Sequence, residues 1–208
     1  GEVIKGRWKS EEVAGSLDLC LGCKGCKKQC PVGVDIATYK SEFHSHRSLW
    51  AKGRTSLSMG FIGSSAKLGA AMPGVANFFT HAPVLRNVAR AVAGISQDRE
   101  VPRFAAESFR HWFRKQRPLH PNGEKVMLFP DVFNDCFLPE SLRSAVFVLE
   151  HYGFQVIVPK EWFGAVRPLL HFGWIAKGRN QLRKILDVLE PLLEDDVTVI
   201  VAEPSTAS

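Results

Sequence analysis

KVMLFPD, at positions 125–131, is a short apolar run closed by a proline, which has no backbone N–H to give to a strand ladder. FQVIVPK (154–160) repeats the pattern, and VTVIVAEPS (197–205) repeats it once more. Helical stretches separate the three runs. SLRSAVFVLEHYG (141–153) ends on Gly153 as its stop, and WIAKGRNQLRKILDVLEPLLE (174–194) is long and amphipathic. Apolar, β-branched runs alternating with helices predict a parallel sheet with helices on its faces.

Upstream of the turn HPNG (120–123) the pattern is helical. SEEVAGSLDL (10–19) predicts a short helix capped by Ser10, with Glu11 and Glu12 in its first turn and Val13, Leu17 and Leu19 on its apolar side. VDIATYKSEFHSHRSLW (34–50) predicts another, capped by Asp35, with Ile36, Tyr39, Phe43 and Leu49 at helical spacing. From Ala51 to Asn122 the chain is rich in Gly, Ala and Pro, with broken helices over VLRNVARAVAGI (84–95) and FAAESFRHWFRK (104–115). In the latter, Phe104, Phe109, Trp112 and Phe113 alternate with Arg110, Arg114 and Lys115. The reading preferred here is a connector that packs its aromatics on a neighbour. The alternative is a surface that docks on a membrane or a partner.

Between the first two helices lies CLGCKGCKKQCP (20–31), which carries four of the five cysteines at C-x2-C-x2-C-x3-C-P spacing. A structural zinc site uses four ligands, usually as two separated pairs. This run instead matches the bacterial ferredoxin pattern, in which thiolates hold an iron–sulfur cluster. Three cysteines spaced by two let a tight loop wrap three corners of a cubane, with Gly22 and Gly25 easing the turn. Lys24, Lys27 and Lys28 either offset cluster charge or are solvated. Cys20, Cys23, Cys26 and Cys30 are therefore the expected metal- and cofactor-binding residues for a [4Fe–4S] cluster. In two-cluster ferredoxins the fourth cysteine of such a run ligates the other cluster, and this chain has no second run. Either Cys30 completes one cluster, or further ligands lie on sequence outside the chain. The lone Cys136 reads as a buried, small apolar residue.

The cysteine pattern is no extracellular disulfide framework and points to a reducing, cytoplasmic compartment. No signal peptide and no membrane-spanning run is apparent; the most apolar stretch, Phe61 to Leu85, is broken by Lys67, His81, Pro73 and Pro83. The chain opens on Gly1 rather than Met and is expected to be a piece of something longer. The net charge of +6 is uneven. Residues 1–60 hold 10 basic and 6 acidic side chains, 61–123 hold 9 and 3, and 124–208 hold 8 and 12. No dense basic stripe with interleaved aromatics is present, so no nucleic-acid partner is expected. His44 and His46 are two apart on a helix, point in different directions and are read as surface residues. His111, His120, His151 and His171 receive no role. Asp131 and Asp135 follow a strand and are read as capping or turn residues rather than ligand-binding ones. There is no G-x-G-x-x-G, P-loop or G-x-S-x-G. No catalytic residue is assigned, and the chain holds no complete active site.

The stretch LDLCLGCKGCKKQCPVGVDIATYKSEF resembles the second cluster-binding run in the iron–sulfur module of FAD-linked D-2-hydroxyacid dehydrogenases, of the D-lactate, D-2-hydroxyglutarate and glycolate oxidase type. It is similar as well to the iron–sulfur subunits of anaerobic glycerol-3-phosphate dehydrogenase and heterodisulfide reductase. The likeness continues through SMGFIG (58–63), VMLFPDVFNDCFLPE (126–140) and RPLLHFGWIAKGRNQL (167–182). It implies an α+β chain: a partial α-helical ferredoxin-like domain at 1–60, a helical connector at 61–123 and a C-terminal α/β parallel-sheet domain of the cysteine-rich type at 124–208. The implied function is an electron-transfer module. Electrons would come from FAD on another domain or on a flavoprotein subunit and pass to an acceptor such as a quinone or cytochrome, with peripheral membrane association on the inner face. Where the family carries Cys-Cys-Gly before Arg-Pro, this chain has Gly164, Ala165 and Val166; where a cysteine follows Glu-Pro-Ser, it has Thr206. The α/β domain is thus expected to have lost any redox or metal site of its own. The alternative function is a non-redox scaffold that docks a flavoprotein through Phe109 and Trp112.

Overall fold

The computed structural model describes residues 7–203. Ser205 and Thr206, where the resemblance expects a lost cysteine, lie outside the described residues.

A 3-10 turn at Arg7–Lys9 leads into α1 (Glu11–Asp18), whose cap is the expected one: Ser10 Oγ accepts the N–H of Val13 at 3.3 Å. The apolar side of α1 is shorter than predicted. Ala14 is buried, whereas Leu19 lies beyond the helix and is 84% exposed. α2 (Gly25–Gln29) forms inside the cysteine run. α3 (Ile36–Ser45) starts at Asp35, whose carboxylate accepts from the Thr38 amide at 3.0 Å. The single helix predicted over 34–50 is two, because Ser48 caps a new one, α4 (Leu49–Ser58), which is kinked at Gly53. The buried stripe of α3 also differs from the prediction. Tyr39 and Leu49 are exposed, and Lys40 with Phe43 faces inward.

The connector holds α5 (Ile62–Ala71), α6 (Pro73–His81) and α7 (Leu85–Ala93). The helix predicted over 104–115 is corrected to five residues, α8 (Phe109–Phe113), because Ser108 caps it by accepting from the His111 amide. Phe109 is fully buried, with Trp112 and Phe113 packed beside it. The connector reading of these aromatics therefore holds, and Phe109 is no docking residue.

The three apolar runs become β1 (Lys125–Phe129), β2 (Gln155–Ile157) and β3 (Thr198–Val201), paired in the order β2-β1-β3 with both pairings parallel. β1 is central and buried on both faces, which is why its sequence is continuously apolar. Val126 and Leu128 pack with Leu142 and Val146 of α10 (Pro139–His151). Met127 and Phe129 pack with Ile185, Val188 and Leu189 of α12 (Ile175–Glu194). The short α9 (Val132–Cys136) and α11 (Val166–His171) complete the crossovers. Gly153 stands after α10 at φ +87°, the left-handed stop expected of it.

The helical half packs directly on this sheet domain. Ser41 Oγ of α3 donates to the Leu170 carbonyl of α11, and Trp174 Nε1 donates to the Ser56 carbonyl of α4 at 3.3 Å. The backbones approach closely at two glycines: a Cβ at Gly63 would stand 2.7 Å from Gly164 Cα, and one at Gly173 would stand closer still to the Ser45 amide nitrogen. Among the described residues no helix is long and apolar enough to cross a membrane.

Candidate cluster site

The cysteine run forms a loop between α1 and α3. Gly22 takes φ +69°, a conformation open to residues without a Cβ, and its N–H donates to Cys20 Sγ at 3.4 Å. Lys24 follows in the left-handed region at φ 56°, and α2 then carries Cys26. Cys30 ends α2 in an extended conformation, its N–H donating to the Cys26 carbonyl at 2.8 Å. The backbone amides of Val34 and Val32, and to a lesser degree Gly33, pull the Cys30 thiol below the ordinary range against the opposing effect of burial. Amides aimed at a sulfur stabilise a thiolate, the form that binds metal.

The loop is tied down from behind by cations absent from the sequence reading. Lys40, only 3% exposed, donates to the Cys20 carbonyl at 3.1 Å and stands 3.8 Å from Asp18. Burial pulls its ammonium below the ordinary value, with Asp18 and Cys20 acting in the opposite direction. Arg167 donates to the Leu21 carbonyl at 3.1 Å, so α11 holds the loop as well. His171 lies beside Gly22, 3.5 Å from where a Cβ would stand. Burial and the neighbouring Lys40 push its ring down to about 4, so it is neutral at pH 7. Lys40 could have been found in the sequence. It falls four residues after Ile36 and three before Phe43, on the apolar stripe of a helix, where an unpaired ammonium is costly.

The three lysines inside the run behave differently from one another. All three are exposed; Lys24 and Lys27 reach Asp35 at 3.4 and 4.0 Å, while Lys28 makes no ion pair among the described residues. His46 is exposed and bonds Glu42 at 2.9 Å, as a surface residue should. His44 is corrected to a half-buried position, 3.7 Å from Asp18, with burial lowering its pKa. Asp131 caps α9 by accepting from Phe133 and Asn134, the role expected of it. Asp135 is instead a buried carboxylate opposite Arg110, a pair the sequence reading missed. Cys136 is packed with Ala66 and Val132, and burial pushes its thiol up to about 12.

The four run cysteines differ in access: Cys23 is exposed, while Cys20, Cys26 and Cys30 are half-buried. Among the described residues, no three His, Cys, Asp or Glu side chains are drawn together as a metal-binding group. The donor set itself fits an iron–sulfur cluster in its chemistry: accessible thiols at close spacing, amides on a sulfur and cations behind the loop.

Over 95% of its length the chain is 21% identical to a D-2-hydroxyglutarate dehydrogenase of Pantoea ananatis, and over 94% it is 21% identical to one of Escherichia coli. A third, from Haemophilus influenzae, is 26% identical over 88 residues, 42% of the chain. The chain spans about a fifth of the length of the first two, covering 20% of each. No protein-family model matches it, and no solved structure gives a significant match. The chain is thus similar, over nearly its whole length, to part of proteins named as D-2-hydroxyglutarate dehydrogenases, in line with the coarse part of what the resemblance implied.

Proposed function

We propose that this chain is the iron–sulfur electron-relay portion of a D-2-hydroxyacid dehydrogenase. The observation that carries the proposal is the cysteine loop: four thiols over positions 20–30, with the Gly22 amide donating to Cys20 Sγ at 3.4 Å. Cys20, Cys23 and Cys26 hold one [4Fe–4S] cluster, and Cys30 serves it or a neighbouring one. When bound, the cluster supplies one-electron transfer between a flavin on another domain or subunit and an acceptor such as a quinone or cytochrome. The chain's own residues set the conditions for this. Lys40 and Arg167 fix the loop backbone through the Cys20 and Leu21 carbonyls and bring positive charge to a site that gains negative charge. The amides of Val34, Val32 and Gly33 pull the Cys30 thiol below its ordinary value, and outer-shell interactions of this kind tune cluster potential.

Iron and acid-labile sulfide per chain, measured on anaerobically purified protein with the electron paramagnetic resonance spectrum of its reduced form, test the proposal. About four irons and four sulfides with a reducible signal are expected if Cys30 closes the site. Iron-free protein that resists reconstitution overturns it.

A further inference from the structure

Away from the cysteine loop, a cleft of about 500 Å³ opens outside the carboxyl ends of β1 and β2. Asp135 of α9, which follows β1, lines it, as do Lys160 and Trp162 after β2, and the remaining walls come from α5, the start of α6 and residues 106–114. Ligands of open parallel sheets bind on this edge, because the loops there diverge and leave room.

The lining is cationic. Lys67, Arg110, Arg114 and Lys160 all contribute to it, and Trp162 supplies an aromatic wall with the Arg110 guanidinium 5.7 Å from its ring centroid. Two carboxylates are present, and each faces a cation, although Asp135 Oδ2 makes no hydrogen bond among the described residues. Asp135, 1% exposed, faces Arg110 Nε at 3.2 Å and accepts the Arg110 amide at 2.9 Å, and Glu107 bonds Lys115 and Arg143. Lys67, Arg114 and Lys160 have no ion-pair partner among the described residues. Three cations without an ion pair therefore share one cleft, Arg114 being within electrostatic reach of Asp135.

Arg110 adds direction to this charge. Its Nη1 is spent on the carbonyls of Pro159 and Glu161, at 2.7 and 2.6 Å. Its Nη2 is buried and finds no acceptor among the described residues. A buried guanidinium N–H without an acceptor is costly, and an oxyanion in the cleft would supply one.

We propose that this cleft binds a small oxyanion, phosphate or carboxylate, between Arg110 Nη2 and the ammonium and guanidinium groups of Lys160, Lys67 and Arg114. The inference does not depend on the electron-relay reading, since no cysteine lines the cleft.

The test is titration of the full chain with inorganic phosphate and, separately, with succinate, followed by calorimetry and tryptophan fluorescence at a constant ionic strength of about 0.15 M. Saturable binding of phosphate identifies a phosphate site, and saturable binding of succinate a carboxylate site. Arg110→Gln is the direct probe but risks unfolding, so Lys160→Glu and Arg114→Glu are used; both residues are exposed. Each is expected to weaken binding roughly tenfold, the equivalent of one charge-assisted hydrogen bond. Absence of saturable binding by either anion overturns the proposal. So does binding that both variants leave unchanged.

Discussion

The chain carries its cysteines in two settings that treat the same side chain in opposite ways. In the loop between α1 and α3 the backbone turns around four thiols, leaves them reachable from solvent and aims amides at one of them. In α9 the fifth is 1% exposed among Ala66 and Val132, beside the Asp135 carboxylate, and its thiol is pushed up to about 12. A cysteine is a ligand or a small hydrophobe according to whether its thiolate is stabilised, and that is set by its surroundings.

The largest expected effect is in alkylation of the metal-free chain at pH 7. A thiol at about 12 ionises roughly a thousandfold less than an ordinary one, so Cys136 should react only after unfolding, while Cys30 reacts readily. Mass spectrometry of a time course reads this directly, and five thiols reacting at one rate would break the comparison. Next comes the buried pair beneath Cys136. Removing one partner, as in Arg110→Leu, should cost about 3–5 kcal/mol in urea unfolding and leave iron content unchanged.

Serine at Cys20, Cys23 or Cys26 should lower iron retention by more than the roughly tenfold to hundredfold that loss of an outer-shell partner costs. Cys136→Ser should leave it intact, and equal losses would erase the distinction. A smaller effect is expected where the two halves meet. In Gly63→Ala the new methyl meets the backbone of Gly164 and Ala165, and a shift in thermal unfolding equivalent to about 1–3 kcal/mol should follow. Both halves should lose stability together, because the contact joins them.

The smallest effect is in pH dependence. His171 titrates near 6.5 when unfolded and about 4 when folded. Between those values the unfolded chain binds more protons. Stability should therefore be flat above pH 6.5 on this account and should fall as pH drops toward 4. His171→Gln should flatten that part of the profile only slightly, because the ring is half-exposed and solvent screens it.

Local signals made much of this legible. Ser10, Asp35 and Gly153 mark helix ends because their side chains, or the lack of one, act on the neighbouring backbone, and each does so where predicted. β1 could be recognised because a strand buried on both faces must be apolar throughout. The cysteine run announced itself by spacing alone. The connector was harder to read. Its aromatics and arginines fit an amphipathic helix over 104–115, but the cap at Ser108 and the burial of Phe109 cut that helix to five residues.

The sequence by itself therefore determined the strands, the helix caps and the identity of the candidate ligands, since all of these are written in residues within a few positions of one another. Only the tertiary structure decided that Lys40 and Arg167 hold the cysteine loop. It alone decided that Asp135 is a buried partner of Arg110 rather than a turn residue, and that four cations share one cleft. Those contacts join residues from 20 to 146 positions apart. Burial and charge compensation depend on which surfaces meet, a property of the packed chain that no local window contains.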